Sequence, residues 1–109
     1  MAKQDFIIEE FKKYKVFLYG GTSVASYDYS IHIKLKAGLA IIRFKNGKLK
    51  KNKSSKIGKN TLYEVYCNSE RYLAFIDVLR NEKPLFFYYH QKNNASYITT
   101  SDEPVGENE

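Results

Sequence analysis

The sequence predicts an α+β fold: a single domain in which a mostly antiparallel β-sheet packs on one main helix at residues 69–81, with a second, short helix at the N-terminus. Three observations lead there. From Tyr27 to Lys36 the chain alternates strictly. Tyr27, Tyr29, Ile31, Ile33 and Leu35 fall on one side and Asp28, Ser30, His32, Lys34 and Lys36 on the other, the period of a half-buried strand with a polar, basic outer face. After Ser69 the period changes: Tyr72, Phe75, Ile76 and Leu79 recur at helical spacing with Leu73 beside them, while Glu70, Arg71, Asp77 and Arg80 face outward. Finally, 109 residues of which 43% are hydrophobic and 16% aromatic suffice for one core and not for two.

The elements follow in chain order. Asp5 can cap a short helix in which Phe6, Ile7 and Phe11 share a side and Glu9 faces Lys13 one turn on. Tyr14 to Tyr19 is rich in β-formers and leads into the turn residues Gly20, Gly21, Thr22 and Ser23. The alternating strand comes next. Ala37 and Gly38 then permit a bend into a second strand, Leu39 to Lys45, which ends at the tight-turn pair Asn46-Gly47. Thr61 to Cys67 is a third long strand, with Leu62, Glu64 and Tyr66 on one face and Tyr63, Val65 and Cys67 on the other, so the segment between is expected to form the tip of a hairpin. Ser69 is the expected cap of the main helix. Pro84, which lacks an amide proton and disfavours helical geometry at Lys83, stops that helix near Asn81. Leu85 to His90 is apolar or aromatic on both faces, as in a central strand covered by a helix on one side. Lys92, Asn93 and Asn94 turn the chain into a last strand, Ala95 to Thr100, so residues 1–100 form the domain and residues 101–109 an acidic tail.

The feature most suggestive of function is the seventeen-residue stretch from Arg43 to Lys59. It holds Arg43, Lys45, Lys48, Lys50, Lys51, Lys53, Lys56 and Lys59 and no carboxylate. Set among glycine, asparagine and serine, these side chains project a positive field into solvent. Net charge is +6, but the tail carries Asp102, Glu103, Glu107 and Glu109, so residues 1–100 carry +10, eighteen cations against eight carboxylates. A basic body suits a phosphate-rich partner. Lysine outnumbers arginine fifteen to three, which favours mobile point-charge contacts with phosphate over the rigid fork that reads bases. Ten tyrosines and seven phenylalanines exceed what so small a core needs. Tyr63, Tyr66, Tyr88, Tyr89 and Tyr97 are the rings that could adjoin the basic hairpin, each able to stack on a base for about 1–3 kcal/mol. If six of the eight cations met phosphates of a single strand, the salt slope would be about −4, from roughly −0.7 per contact.

Other chemistries lack the residues they need. His32 and His90 lie far apart on strands and Cys67 is the only soft ligand, so no metal site or cofactor is expected. A nucleophilic relay would require Cys67, Asp77 and His90 to converge, which nothing in their spacing arranges. The glycine, lysine and hydroxyl pattern of a phosphate loop is missing, and neither Glu9-Glu10 nor Asp102-Glu103 forms an acid and base pair with contrasting environments. The expected protein is therefore not an enzyme. One cysteine forbids an internal disulfide and suits a reducing interior, the residues before Lys15 do not form a secretory signal, and no stretch approaches the roughly 18–20 apolar residues of a membrane span. The cytoplasm is the expected location and a membrane is not an expected partner.

The run Leu79-Arg80-Asn81-Glu82-Lys83-Pro84, an aromatic strand, Thr99-Thr100-Ser101 and Glu103-Pro104-Val105-Gly106-Glu107 resembles the ending of small uncharacterised bacterial and mobile-element proteins over the C-terminal third. The resemblance implies a defined tail and brings no activity, cofactor or site residue with it. In general layout the chain is also similar to whirly-type single-strand-binding folds. The leading expectation is non-enzymatic, sequence-tolerant binding of single-stranded DNA or RNA through a lysine-rich hairpin loop, the eight cations above and the exposed rings of Tyr63, Tyr66 and Tyr88. The rival expectation is an interaction or inhibitor module that engages a protein through an exposed aromatic strand and the acidic tail. An uncovered sheet edge is open to strand pairing, which makes a homodimer one of the states compatible with the sequence.

Overall fold

Ile31, Ile33, Ile42 and Val65 are β-branched residues placed at every second position of three strands, and their shared need for a dry face organises the chain. The computed structural model describes residues 6–20 and 27–100 and arranges them as eight strands, one 3-10 turn and one α-helix. The larger sheet has the order β2-β3-β4-β6-β5, made of Tyr14–Leu18, Tyr29–Leu35, Gly38–Lys45, Asn60–Asn68 and Lys53–Ile57 respectively. The smaller sheet has the order β1-β7-β8, made of Phe6–Phe11, Leu85–His90 and Ala95–Thr100. Helix α1, Tyr72–Asn81, follows the 3-10 turn Ser69–Arg71. Two sheets and one helix make the molecule more β-rich than the sequence suggested. Asp5, the turn residues Gly21 to Ser23 and the acidic tail at 101–109 lie outside the described residues.

The expected N-terminal helix is a strand. β1 pairs antiparallel with β7, Phe6 opposite His90 and Phe11 opposite Leu85, so Ile7, Glu9 and Phe11 turn inward while Phe6, Ile8 and Glu10 turn out. Long-range pairing overrides the local pattern because β7, apolar or aromatic along its length, needs a neighbour on each edge. Glu9 is not paired with Lys13 either, for its Oε2 accepts the backbone N–H of Lys36.

The lysine-rich segment is not the tip of a single hairpin between β4 and β6. β4 and β6 run parallel, Gly38 beside Thr61 and Phe44 beside Cys67. The chain leaves β4, passes the end of β6, runs back as the edge strand β5 and turns at Gly58-Lys59 into β6, which fills the gap between β4 and β5. Two details secure this crossover. At Gly38 a Cβ atom would lie 2.0 Å from the carbonyl oxygen of Thr61, so only glycine admits the neighbouring strand. At the other end buried Asn52 extends the β6 ladder with its side chain, its Oδ1 accepting the Tyr66 N–H at 2.9 Å. Asn52 is itself held by Asn94 in the β7–β8 turn, which accepts the Asn52 N–H at 2.7 Å and its Nδ2–H at 3.2 Å.

Helix and small sheet cover one and the same face of the large sheet. Tyr72 stacks on Tyr29 at 3.9 Å and meets Phe44 edge-on, and Phe44 also meets Phe75. Farther along, Tyr63 packs on Phe87 and Tyr89 of the small sheet. Ile31, Ile33, Ala40, Phe44 and Phe87 are wholly buried between these layers. Asn68, not Ser69, caps the 3-10 turn, its Oδ1 accepting from the Glu70 N–H, while the Ser69 hydroxyl donates to Asp28. The helix ends beside Lys83-Pro84 with Glu82 N–H bonded to the Val78 carbonyl. Among the described residues no second layer lies on the opposite face of the large sheet.

Gly38→Ala is expected to lower the unfolding free energy by at least about 2 kcal/mol, because backbone must shift to admit the methyl group. Gly58→Ala, in a left-handed turn with open space around it, is expected to cost only roughly 1 kcal/mol. Urea unfolding of the two variants checks the ranking; equal losses would mean that the Gly38–Thr61 approach is not tight.

Candidate functional site

The open face of the large sheet is a grid whose rows are set by strand register. One row reads Lys15, His32, Ile41, Glu64 and Lys53 across all five strands. The next reads Phe17, Ser30, Arg43 and Tyr66, and on the other side Lys34, Leu39, Leu62 and Ser55 form a third. Lys45, level with Asn68, continues the Arg43 side of β4. Rings and cations therefore interleave on the side turned away from the core, where Ser30, Ile41 and Tyr66 are nevertheless buried by their neighbours.

Local contacts tie the grid together. Phe17 lies against His32 with ring centres 4.5 Å apart, the Lys15 ammonium stands 5.9 Å over Phe17, and the Tyr19 hydroxyl meets the Ser30 hydroxyl at 2.8 Å. The Arg43 guanidinium stands 5.4 Å over Tyr27, whose ring meets Tyr66 at 6.2 Å. Arg43 and Lys53 reach the same oxygen of Glu64 at 3.5 Å and 3.4 Å, and the Tyr66 hydroxyl donates to it at 3.1 Å. Burial opposes ionisation of the Glu64 carboxyl, but the Tyr66 hydroxyl, Arg43 and Lys53 outweigh it and hold the group below its usual range. Burial and the Glu64 charge push the Tyr66 phenol up in turn.

The structure disperses the residues chosen from the sequence. Arg43, Lys45, Lys53 and Tyr66 lie on the open side of the sheet, but Tyr66, expected to be exposed, is buried at 9% exposure with Tyr27 packed beside it. Lys48, Lys50 and Lys51 are exposed on the crossover from β4 to β5, Lys59 is exposed in the β5–β6 turn, and Lys56 belongs to the opposite side of the edge strand, level with Thr61. Tyr63 faces the core against Phe87 and Tyr89, which removes it as a stacking surface, and burial raises its phenol pKa. Tyr89 is likewise buried. Tyr88 stands on the outer face of the small sheet, stacked on Tyr97 at 4.3 Å and on Phe6 at 5.6 Å. That face continues through Ile8, and Phe6, Ile8 and Tyr97 are 37%, 54% and 48% exposed. Sequence reasoning missed Lys15, Phe17, Tyr27 and His32 as site residues, although the basic outer side of 27–36 was a visible signal for His32 and Lys34.

Cys67, Asp77 and His90 do not meet. Cys67 points to the helix side of the large sheet, with its thiol pKa raised by burial. Asp77 accepts from Asn81 on the helix, and His90 Nδ1 accepts the Asn93 N–H in the β7–β8 turn. A cleft of about 630 Å³ opens between β1, β2 and the end of α1, lined by Phe11, Tyr14, Leu79, Pro84 and Leu85 among others, and it contains none of the residues chosen from the sequence. No group of three His, Cys, Asp or Glu side chains able to hold a metal occurs among the described residues, and no helix among them is long and apolar enough to cross a membrane. No family model, curated protein or solved structure matches the chain.

His32 reports on this face. Burial first, then Arg43 and Lys15, lower its pKa from 6.5. The unfolded chain therefore binds more protons in the window just below 6.5, so the stability from this group is full above that pH and is lost as pH falls through the lower folded pKa. The excess stability of wild type over His32→Gln is expected to shrink as denaturant titrations move from neutral to mildly acidic pH. The change is small because the ring is half-exposed, and a constant difference would show that His32 titrates alike in both states.

Proposed function

We propose that this protein binds single-stranded DNA or RNA without catalysis and with little regard to sequence, across the open face of its large sheet. The observation that carries the reading is the grid itself, a sheet face with no covering layer among the described residues, on which rings and cations are neighbours. Phe17 and Tyr66 share a row three strands apart, roughly 14 Å at about 4.8 Å per strand. Arg43 lies between them and Lys15, Lys34 and Lys53 flank them. Bases laid along such a row meet π-faces while their phosphates meet ammonium groups, a combination that tolerates any sequence because every base has a flat face. Lys48, Lys50, Lys51 and Lys59 extend the positive field along the β5 margin and speed encounter. A duplex would feel the charge but could not stack. The reading places the protein in the cytoplasm, where Cys67 stays a thiol.

The stacking set thus shifts from Tyr63, Tyr66 and Tyr88 to Phe17, His32 and Tyr27, with buried Tyr66 backing Tyr27. Fluorescence anisotropy of labelled single-stranded and duplex oligonucleotides over a salt series tests it, with lysozyme as a control for generic basicity. Lys50→Gln, Lys51→Gln and Lys53→Gln together are expected to flatten the single-strand salt slope by about 2, at roughly 0.7 per lost contact. Phe17→Ala is expected to lose about 1–3 kcal/mol of affinity without changing that slope. Binding no stronger than that of lysozyme, or a slope unmoved by the three replacements, would sink the reading.

The outer face of the small sheet favours a second reading, self-association. Its register places Phe6, Ile8, Glu10, Phe86, Tyr88, His90, Ala95, Tyr97 and Thr99 together, with Glu10 the single charged carboxylate and no lysine. On a molecule of net charge +6 this is the side that a second copy can approach with least repulsion, and contiguous exposed apolar surface is ordinarily an interface. Sedimentation velocity is expected to show a concentration-dependent dimer that Ile8→Lys combined with Tyr97→Lys abolishes while oligonucleotide binding survives. A wild-type monomer at every concentration would remove this reading and leave the first intact.

A further inference from the structure

Glu64 is the only carboxylate in the three rows of the open face, and one of its oxygens receives everything. Arg43 from β4 and Lys53 from β5 reach Oε1 at 3.5 Å and 3.4 Å from the two strands that flank β6, and the Tyr66 hydroxyl donates to it at 3.1 Å. Two cations and a hydroxyl converging on one anionic oxygen are the donors that protein sites present to a phosphate oxygen. The arrangement adds little to the stability of the sheet. The Lys53 side chain is 64% exposed, so its pair with Glu64 is worth little. The Arg43 and Glu64 side chains, at 25% and 17% exposed, incur a desolvation cost that offsets much of their attraction.

We infer that Glu64 is a built-in competitor for the nucleic-acid backbone: its carboxylate occupies a phosphate seat formed by Arg43, Lys53 and Tyr66, and a bound strand must displace it. The inference rests on the single-strand reading of this face and goes beyond it by naming what limits affinity there. An isolated monovalent anion offers no more charge to these donors than Glu64 already does, so it gains nothing by exchange. A strand that also engages Lys15, Lys34, Lys45 and the stacking rings gains contacts elsewhere and can drive the exchange. The seat therefore selects for polyanions that span several rows over isolated monovalent anions.

Glu64→Gln keeps the shape of the side chain and an acceptor for Tyr66 while removing the competing charge. Glu10→Gln on the small sheet changes net charge equally and is the control. With a labelled single-stranded oligonucleotide, Glu64→Gln is expected to steepen the salt slope by about 0.7, for the one opposing charge removed from the seat, and to tighten low-salt binding at least about fivefold. Glu10→Gln should change affinity by less than about twofold, as for a charge remote from the contact surface at moderate salt. Adding Arg43→Gln to Glu64→Gln should take back the gained slope, one cation lost for one anion removed, which a nonspecific gain from a loosened fold would not do. If wild type binds and Glu64→Gln behaves like Glu10→Gln, or binds more weakly, the competitor role is overturned and the single-strand reading stands. If neither wild type nor the variants exceed lysozyme, both fall together.

Discussion

The parallel pairing of β4 with β6 is the constraint on which the rest of the structure depends. Parallel neighbours cannot be joined by a tight turn, so the chain must travel back along the sheet before it enters β6. Here it does so as a strand, and β5 becomes the edge while β6 is inserted inside it. The lysines between Asn46 and Lys59 follow from that route. They occupy a crossover and an edge, where unpaired backbone meets water and charged side chains discourage pairing with other chains. Gly38 and Asn52 are the two residues that let the pairing close, one by having no Cβ where Thr61 passes and the other by supplying the ladder partner that β5 is too short to provide.

The same pairing decides which surface remains open. With Phe44, Ile42 and Ala40 of β4 level with Cys67, Val65 and Tyr63 of β6, one face becomes continuously apolar and aromatic. Helix α1 and the small sheet divide that face between them, the helix over Phe44 and the small sheet over Tyr63. The chain has one substantial helix among its described residues, and burial of the apolar face uses both available layers. The other face keeps its rings because long charged side chains shield them from the flanks, Lys15 over Phe17 and Arg43 over Tyr27. A surface of this kind is stable in water as it stands.

How much of this was legible in the sequence depends on the range of the interaction. Strands at 27–36, 39–45, 61–67, 85–90 and 95–100 and the helix after Ser69 were readable because their period is local and repeated. The N-terminal strand was not, for Phe6, Ile7 and Phe11 satisfy a helical spacing as well as a strand, and the partner that decides between them, Tyr89 opposite Ile7, lies more than eighty residues away. Parallel pairing was hidden for the same reason: Asn46-Gly47 and Gly58 both read as turns, and two turns around a polar stretch look like one long hairpin until the strand order is known. For the site, charge was legible and its distribution was not. Alternation correctly put Glu64 and Tyr66 on one side and Tyr63 on the other, but only the register shows that the Glu64 side is open and the Tyr63 side is core.

Glu64 shows why counting charge along a sequence overstates what a basic segment has to offer. Arg43 and Lys53 are ten residues apart in a stretch without a single acid, yet the acid that engages them enters from the next strand. Two of the eight cations are thus already engaged, and Lys56 belongs to the other side of the edge. Conversely Lys15 and Lys34, outside the stretch, enter the grid by register alone. The effective positive surface is therefore a transverse band set by strand order, not the linear run from which it was first inferred. Because the band runs across five strands, its cations come from segments spread over about forty residues of chain, and their spacing is as rigid as the sheet. A rigid spacing suits a ligand that presents charge and flat rings together, as the proposed single-strand binding requires.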